Sequence, residues 1–264
     1  MFDVMGIEQL PPVLYQYTSV ESLRRILESR SIRFSRLDSV NDPEEAIASD
    51  VPLAASSVFV SCWSSVEAEQ IPMWSMYGDR FCGVRMRLPA NMFAGRREPV
   101  IYEKGGALTI FDGSYTILRK APAMQTQGCA IIGPNKVYYS DDASYRSHRL
   151  VYHCGDTAAF YPYDLGMVKS THWSYEQEWR FKIAALAFEA EYPNDKYFNE
   201  VTLDFERYPI ENNALFVPLD ESALADMEVT VGPKITKASA DEVGDILREF
   251  APRASLVPSQ LRIR

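Results

Sequence analysis

The sequence predicts an α+β fold in which a mainly antiparallel, bent or split sheet carries a few short helices. About nine or ten short segments have the alternation or the β-branched and aromatic composition of strands, whereas few show helical spacing. The strand–helix alternation of a doubly wound sheet is missing, as are the Gly-x-Gly-x-x-Gly and Walker signatures. We expect an N-terminal arm over residues 1–12 and a single domain over 13–264, with a loop-rich insertion near 104–135.

The first part of the chain is predicted to run strand, helix, strand. Residues 13–18 are rich in strand formers, and Ser19 is the expected N-cap of a helix with regularly spaced apolar residues. Residues 32–35 form the second strand. The sequence Asn-Asp-Pro-Glu-Glu, which starts at Asn41, predicts a helix start capped by Asp42. The cap does not require Asn41, which makes Asn41 a candidate binding residue.

The middle and the end of the chain contain further short elements. Residues 81–88 predict a strand with Arg85 and Arg87 on one face. Residues 143–160 are expected to be helical, and Ser239 is expected to cap the last helix. Other strands are expected within or near residues 54–63, 100–102, 107–111, 135–139, 180–186, 201–205, 214–219, 227–233 and 256–263.

The acidic composition limits the possible partners. A net charge of −9 and a pI of about 5.0 disfavour non-specific binding to nucleic acid or anionic membranes, because phosphates are repelled. No apolar stretch is long enough to span a membrane, and the N-terminus lacks the basic region of a signal peptide. The four cysteines have no Cys-x-x-Cys spacing, so we expect buried free thiols in a reducing cytoplasm.

The stretch that begins at Lys169 and ends at Phe181 is the densest in residues that can do chemistry. In a strand, Glu176 and Glu178 point to the same face, roughly 6–7 Å apart. One carboxylate can then orient a nucleophile while the other bonds a sugar hydroxyl. Arg180 falls on this face too. The alternative is a solvated edge strand with an internal Glu–Arg ladder, although three large aromatic residues flank the motif.

Two other groups of residues are candidates for the same cleft. Trp74 and Tyr77, with Ser75 between them, lie on one helical turn and could stack a planar heterocycle, or they belong to the core. Tyr17 on the first strand and Arg33 on the second could hold a phosphate, the alternative being a surface arginine. We predict no metal site, because the three histidines lack ligand spacing. Ser-His-Asp hydrolysis is not supported either, because the sequence has no Gly-x-Ser-x-Gly elbow.

Three motifs follow one another along the chain. They are Asn-Asp-Pro-x-Glu from Asn41, Met-Trp-Ser-x-Tyr from Met73, and Tyr-Glu-x-Glu-Trp-Arg from Tyr175. With these motifs the chain, from about residue 13 onward, closely resembles the bacterial domain-of-unknown-function family 2971. The resemblance implies a bacterial accessory gene of the kind found in phage defence or toxin systems, and it implies no specific activity.

A second resemblance suggests chemistry. A strand ending in aromatic-Thr, a helix ending in Ile-Leu and a short strand look like ADP-ribosyltransferase-type domains, which hold NAD in the cleft of a small split α+β sheet. Their late Q/E-x-E motif would correspond to Glu176-x-Glu178. The candidate positions for their early and middle polar residues are Tyr17 or Arg33, Ser61, and Ser75 with Tyr77.

This resemblance implies an NAD-dependent transferase or NAD glycohydrolase, with NAD as co-substrate. Glu178 would bond the ribose 2′-hydroxyl and stabilise the oxocarbenium-like charge as nicotinamide leaves, and Glu176 would orient the acceptor. Arg33 would bind the pyrophosphate, and Trp74 and Tyr77 would stack on the nicotinamide or adenine ring. The acceptor is expected to be a protein or a small molecule rather than nucleic acid. The residues assigned to cofactor binding are Tyr17, Arg33, Asn41, Trp74, Ser75, Tyr77 and Arg180.

Two other interpretations are open. In the first, the chain is a non-catalytic binding module, and Asn41, Asp42, Glu178 and Arg180 form a buried polar network that fixes the fold. In the second, a metal-dependent phosphoester hydrolase uses Asp42, Glu44 and Glu178 around a divalent ion. A transferase requires that NAD raise the thermal stability, a hydrolase requires a divalent metal, and a structural network requires that Glu178→Gln destabilise the protein. The sequence does not fix the oligomeric state.

Overall fold

The chain divides into two compact units. The first unit comprises residues 1–30, 63–92 and 219–264, and the second comprises residues 31–62 and 93–218. The predicted arm over residues 1–12 lies almost entirely outside the described residues, and so does Cys129. The structure, a computed structural model, describes residues 10–93, 99–102, 106–109, 116–121, 124–128, 131–154, 157–191, 200–202, 205–207 and 209–263.

The helices and strands are short, with two exceptions of 14 residues each. The α-helices are α1 (Val20–Ser29), α2 (Ile71–Met76), α3 (Ala143–Arg146), α4 (Glu221–Ala225) and α5 (Lys237–Phe250). The strands are β1 (Val13–Thr18), β2 (Ser31–Arg36), β3 (Val58–Ser64), β4 (Val84–Pro89), β5 (Pro99–Tyr102), β6 (Gly106–Thr109), β7 (Thr116–Ala121), β8 (Met124–Gly128), β9 (Ile132–Lys136), β10 (Tyr138–Tyr139), β11 (Val151–Cys154), β12 (Thr157–Phe160), β13 (Val168–Lys169), β14 (Glu178–Glu191), β15 (Glu200–Thr202), β16 (Ala214–Pro218), β17 (Glu228–Val231) and β18 (Ser255–Pro258).

The first unit is built on a sheet in the order β18–β17–β4–β1. β4 pairs antiparallel with both β1 and β17, while β17 and β18 are parallel. The alternation predicted for β4 is confirmed on its apolar face, where Val84, Met86 and Leu88 are fully buried. The opposite face carries the polar residues of β4, including Arg85.

Two helices of the first unit, α1 and α5, contact each other. Ser19 caps α1 as predicted, because its side chain accepts a backbone N–H of the first turn, and Leu23 and Leu27 are buried. Full burial of such a leucine contributes about 1.5–3 kcal/mol. The start predicted for α5 is wrong by three residues: Thr236 is the N-cap, and its hydroxyl accepts the N–H of Ser239.

The second unit is organised around β14. This strand pairs antiparallel with β8, β9 and β15, and β7 pairs with β8. β2 lies between β3 and β16, again antiparallel. Further pairs are β5–β6 and β11–β12, which are antiparallel, and β10–β13, which is parallel.

The core of the second unit holds the first residues of β14 in place. The rings of Phe34, Phe93 and Phe181 pack in sequence, with centroids 5.6 and 5.0 Å apart. Since Phe181 lies near the start of β14, this packing fixes the strand where its charged residues begin. A second apolar group consists of Leu37, Ala54, Ala55, Val58, Val60, Leu150, Leu165 and Phe205.

The helix predicted over residues 143–160 is wrong. Within the described residues of this range only one turn, α3, is helical, and the antiparallel pair β11–β12 follows it. The carboxylate of Asp50 accepts the N–H groups of Leu150 and Val151. These two hydrogen bonds tie the chain in an extended form where a helix would have to continue.

The predicted class is confirmed in its coarse form, a mixed α+β structure with a mostly antiparallel sheet and few helices. The region near 104–135 contains more strand than the one expected, since β6, β7, β8 and most of β9 fall within it. Within the described ranges, no helix has both the length and the apolar character needed to cross a membrane.

The prediction that the cysteines are buried is wrong for Cys82. This residue is exposed in the turn before β4, and its sulfur lies 3.5 Å from the carbonyl oxygen of Lys234. Cys62 in β3 is partly buried. Both are free thiols.

Candidate functional site

The stretch that begins at Lys169 does not form one strand. Lys169 ends β13, Ser170 caps a 3-10 helix over Thr171–Glu176, and β14 begins at Glu178. Gln177 adopts the left-handed conformation, with φ of 41°. The two glutamates therefore do not share a strand, contrary to the prediction, because this left-handed residue ends the helix and turns the chain into β14.

The carboxylate of Asp141 anchors the start of the 3-10 helix. It accepts hydrogen bonds from the Ser170 hydroxyl at 2.9 Å and from the N–H and hydroxyl of Thr171. The Ser170 hydroxyl also lies 2.8 Å from Nδ1 of His172. The bonds from Thr171 and Ser170 lower the pKa of Asp141. Polar side chains thus fix a helix that is too short to be stable alone.

Despite the turn, the two carboxylates converge on one ammonium group. Lys169 Nζ lies 2.6 Å from Glu176 Oε2 and 3.2 Å from Glu178 Oε2. All three side chains are 5% exposed or less. The Tyr139 hydroxyl accepts the backbone N–H of Glu178 at 2.9 Å, which fixes the first residue of β14.

Arg180 connects this group to a segment far away in the sequence. Its Nε and Nη2 donate to the two oxygens of Glu178, and its Nη1 donates to Glu45 and to the Gly166 carbonyl. Glu45 lies in a 3-10 helix capped by Asp42, a cap that the sequence predicted correctly. The structure therefore brings together two of the three motif segments. We call Glu45, Lys169, Glu176, Glu178, Arg180 and Lys182 the Glu178 cluster.

Gly166 leaves room for the guanidinium group of Arg180. A Cβ atom at this position would lie 3.0 Å from Arg180 Nη1 and 2.9 Å from Leu37 Cδ1. The φ angle of +68° also disfavours any residue with a side chain. A glycine is therefore required here by both space and backbone conformation.

The electrostatics of the cluster keep Glu178 ionised. Burial by itself would raise the pKa of Glu178, but Arg180 and Lys169 outweigh burial and lower the pKa to about 2. The Cys62 thiol also donates a hydrogen bond to Glu178. Burial, together with the Glu178 charge, raises the pKa of Cys62 well above its usual value. At neutral pH the carboxylate is therefore an anion and the thiol is neutral.

Lys182 extends the cluster by one alternate position along β14. Its Nζ donates to the carbonyl oxygens of Tyr163 and Leu165, the second at 3.2 Å. Burial, and then the neighbouring Arg180 charge, lowers the pKa of Lys182 to about 7. Burial acts in the opposite sense on Glu45, whose pKa it raises against the attraction of Arg180. Burial therefore disfavours the charged forms of both Lys182 and Glu45.

Two aromatic rings lie on the outer side of the 3-10 helix. The centroid of the Trp173 ring is 4.8 Å from Lys169 Nζ and 6.4 Å from the Tyr175 ring. Both aromatic residues are half-buried, whereas Glu176 in the same helix is buried. A partly solvent-facing Trp173–Tyr175 pair therefore borders the buried ion pairs.

Three other predicted site residues belong to the second unit. Arg33 is exposed on β2, opposite Phe216 of β16. Asn41 is exposed just before the cap at Asp42, and Ser61 is buried in β3. Of these, only Ser61 has the burial of the Glu178 cluster.

The remaining predicted residues belong to the first unit. Trp74 is fully buried, its Nε1 donates to Glu69 at 2.9 Å, and its ring meets that of Tyr17 edge-on at 4.9 Å. Tyr17 is buried as well. Ser75 is exposed, and Tyr77 is half-buried. Trp74 has the burial expected of a core residue, which was the alternative interpretation of its motif.

The sequence did not identify Lys182, Tyr139 and Cys62 as site residues, and it identified Glu45 only as an acidic residue of a helix start. A signal for Lys182 exists, because it alternates with the two charged residues before it in β14. Tyr139 and Cys62 carry no local signal, since the fold of the second unit brings them to β14.

The described residues contain no group of three or more His, Cys, Asp or Glu side chains placed to hold a metal ion. The carboxylates of the hydrolase interpretation have protein partners. Asp42 accepts the N–H of Glu44 at 3.0 Å, Glu44 pairs with Arg146, and Glu178 pairs with Arg180. These contacts fix local structure.

Comparison with known families agrees with the motifs. Residues 73–181 match the model of a family described as protein of unknown function (DUF2971), and this range includes the Met-Trp-Ser-x-Tyr and Tyr-Glu-x-Glu-Trp-Arg motifs. No curated protein and no solved structure matches the chain. The predicted resemblance to this family is therefore confirmed over residues 73–181.

Proposed function

We propose that the chain is a non-catalytic binding module of a defence or regulatory system, and that the Glu178 cluster fixes its binding surface. The observation that carries this proposal is the saturation of Glu178. Both of its oxygens accept hydrogen bonds from Arg180, and Oε2 also accepts one from Lys169. A catalytic carboxylate has to contact its substrate, whereas Glu178 is only 3% exposed.

The Trp173–Tyr175 pair is the proposed recognition surface. Tryptophan and tyrosine dominate binding hot spots, because a rigid ring buries a large area at low entropic cost. Lys169 and Glu176 hold this helix from the inside, so the two rings are oriented before a partner arrives. The partner is a protein or a small molecule, since a net charge of −9 disfavours nucleic acid.

A partner isolated from source cells with the wild-type chain tests this surface. We expect Trp173→Ala to weaken its binding at least tenfold, while circular dichroism shows the fold unchanged. Ser174→Ala is the matched control, because Ser174 is exposed in the same helix and carries no ring. Equal binding by wild type and Trp173→Ala would refute the surface.

The second candidate is an NAD-dependent ADP-ribosyltransferase-like enzyme or NAD glycohydrolase. The observation in its favour is that Glu178 stays anionic, with a pKa of about 2, and that Glu176 lies beside it on the same lysine. An anionic carboxylate is what stabilises an oxocarbenium-like transition state. In this case the ion pairs of Glu178 have to open before a ribose hydroxyl can reach it.

Thermal unfolding with and without millimolar NAD separates the two candidates. A ligand at a hundred times its Kd adds about 2.7 kcal/mol to the stability, which shifts the midpoint by several degrees. We expect no shift and no nicotinamide release. A shift with NAD, together with nicotinamide release that Glu178→Gln abolishes, would instead establish the enzyme. Glu242→Gln is the control, because Glu242 is exposed and its one ion pair among the described residues is with Arg24.

A further inference from the structure

Arg85 in β4 is buried, and the described part of the chain gives it no anionic partner. It is 7% exposed, and its Nη1 donates to the Glu67 carbonyl at 2.7 Å. Among the described residues this carbonyl is the only hydrogen-bond acceptor on the guanidinium, and the buried Nε has none. A buried ion without compensation is unfavourable, so this arrangement requires an explanation.

The other buried cations among the described residues either have carboxylate partners or can lose their charge. Lys169 and Arg180 each pair with two carboxylates. Lys182 has carbonyl partners only, but a lysine can release its proton. An arginine remains charged at any pH at which the protein is folded. Arg85 is therefore a permanent positive charge that this part of the protein does not neutralise.

The surroundings hold the guanidinium in a defined orientation. Its Cζ lies 4.7 Å from the centroid of the Tyr15 ring and 5.9 Å from that of Tyr17. Both rings belong to β1, in which Tyr17 is the register partner of Arg85. Tyr17 is fixed in turn, because its hydroxyl accepts the N–H of Gln70 and its ring packs on Trp74. The arginine is thus pre-organised on a rigid aromatic surface.

The nearby acidic side chains do not pair with the Arg85 guanidinium. Across the sheet, Thr230 is opposite Arg85, whereas Glu228 is opposite Arg87. Glu69 follows Glu67 closely in the chain, but its carboxylate accepts hydrogen bonds from Trp74 Nε1, Ser259 Oγ and the N–H of Gln260. These bonds commit the Glu69 carboxylate to the first unit's own structure.

We infer that Arg85 is the anchor of a binding site for a phosphate or pyrophosphate group. With Nη1 on the Glu67 carbonyl, the edge formed by Nε and Nη2 remains for a ligand, and this edge matches two oxygens of a phosphate. Arg85 keeps 7% of its surface exposed, although its Nε is itself buried. The site lies entirely in the first unit, and it does not depend on the function proposed for the Glu178 cluster.

The test is a titration of the full chain with sodium pyrophosphate, followed by the Nε–H signals of arginine in ¹H–¹⁵N spectra. We expect the Arg85 signal to shift saturably, while sodium chloride at matched ionic strength leaves it in place. Sodium phosphate in a parallel titration shows whether one phosphate is sufficient. Absence of a saturable shift with either anion would overturn the site.

Variants separate this site from general attraction of anions. Arg85→Met is expected to lose the rise in unfolding temperature that pyrophosphate gives to wild type, and Arg85→Lys to bind at least tenfold more weakly because it lacks the planar fork. Arg87→Met is the matched control and should respond as wild type does. An equal response of wild type and Arg85→Lys would contradict the inference, even if Arg85→Met does not fold.

Discussion

Arg180 in the second unit and Arg85 in the first are both buried arginines on strands, yet their surroundings differ. Arg180 is 1% exposed and bonds Glu178, Glu45 and the Gly166 carbonyl. Arg85 is 7% exposed and has one carbonyl and two tyrosine rings. Among the described residues, carboxylates compensate the charge of the first guanidinium, whereas none compensates the second.

This difference indicates that the charge of Arg180 stabilises the fold, whereas the charge of Arg85 is available to bind a ligand. A charge whose hydrogen bonds are all made inside the protein holds segments together but has nothing left to offer a ligand. A charge that is fixed in orientation and uncompensated costs stability, and it recovers that free energy when an anion binds. We therefore interpret the Glu178 cluster as a structural centre. Arg85 of β4 is instead the residue that we propose as the anchor of a binding site.

The largest expected effect is that of Arg180→Met. It leaves Glu45 and Glu178 buried without their common cation, which costs about 3–5 kcal/mol. Urea unfolding measures this loss. Arg85→Met removes a charge without orphaning a carboxylate among the described residues, so its loss should be clearly smaller. Equal losses in the two variants would break the comparison.

The next effect is a loss of stability in acid that depends on Glu178. Its folded-state pKa of about 2 lies below the ordinary value of 4.5, so the unfolded chain binds the proton first. The contribution, roughly 3 kcal/mol, is fully present above about pH 5 and disappears as the pH falls toward 2. Unfolding measured from pH 7 to pH 3 should show this loss in wild type. The same loss in Glu178→Gln would contradict the assignment.

Lys182 is expected to act at the alkaline end. Its folded-state pKa of about 7 lies below the ordinary 10.5, so between these values the unfolded chain holds more protons. Stability should therefore increase as the pH rises from 7 toward 10, with a slope approaching about 1.4 kcal/mol per pH unit from this group. The difference between wild type and Lys182→Met isolates this term, and it should be flat if Lys182 stays charged.

The smallest expected effect concerns Trp173. The other three tryptophans, Trp63, Trp74 and Trp179, are 6% exposed or less. Iodide should therefore quench the fluorescence of Trp173 almost alone, and Trp173→Phe should remove most of the quenching with little change in stability. Quenching that persists in this variant would show that the Trp173–Tyr175 pair is not the accessible surface.

Local signals allowed the sequence to predict the caps at Ser19 and Asp42 and the buried face of β4. These features depend on residues within one helical turn or one strand. The same reasoning failed over 143–160, because Asp50 ties the chain there in an extended form from far away in the sequence. The prediction that Ser239 caps α5 also failed, because Thr236 is the N-cap.

The candidate site was predictable only in part for the same reason. The sequence identified Glu176, Glu178 and Arg180 because they lie close together in one dense motif. The contact between Arg180 and Glu45 joins residues that are 135 positions apart, and no local pattern specifies it. The convergence on Lys169 depends on the left-handed Gln177, which the alternation of a strand does not reveal.

The most direct test of the central claim is the urea unfolding of Glu178→Gln at pH 7, with Glu242→Gln as the exposed control. We predict that Glu178→Gln lowers the free energy of unfolding by about 3 kcal/mol or more, because Arg180 and Lys169 lose their shared anion. The control should be unchanged. A Glu178→Gln variant as stable as wild type would contradict the claim that the Glu178 cluster is the structural centre of the second unit.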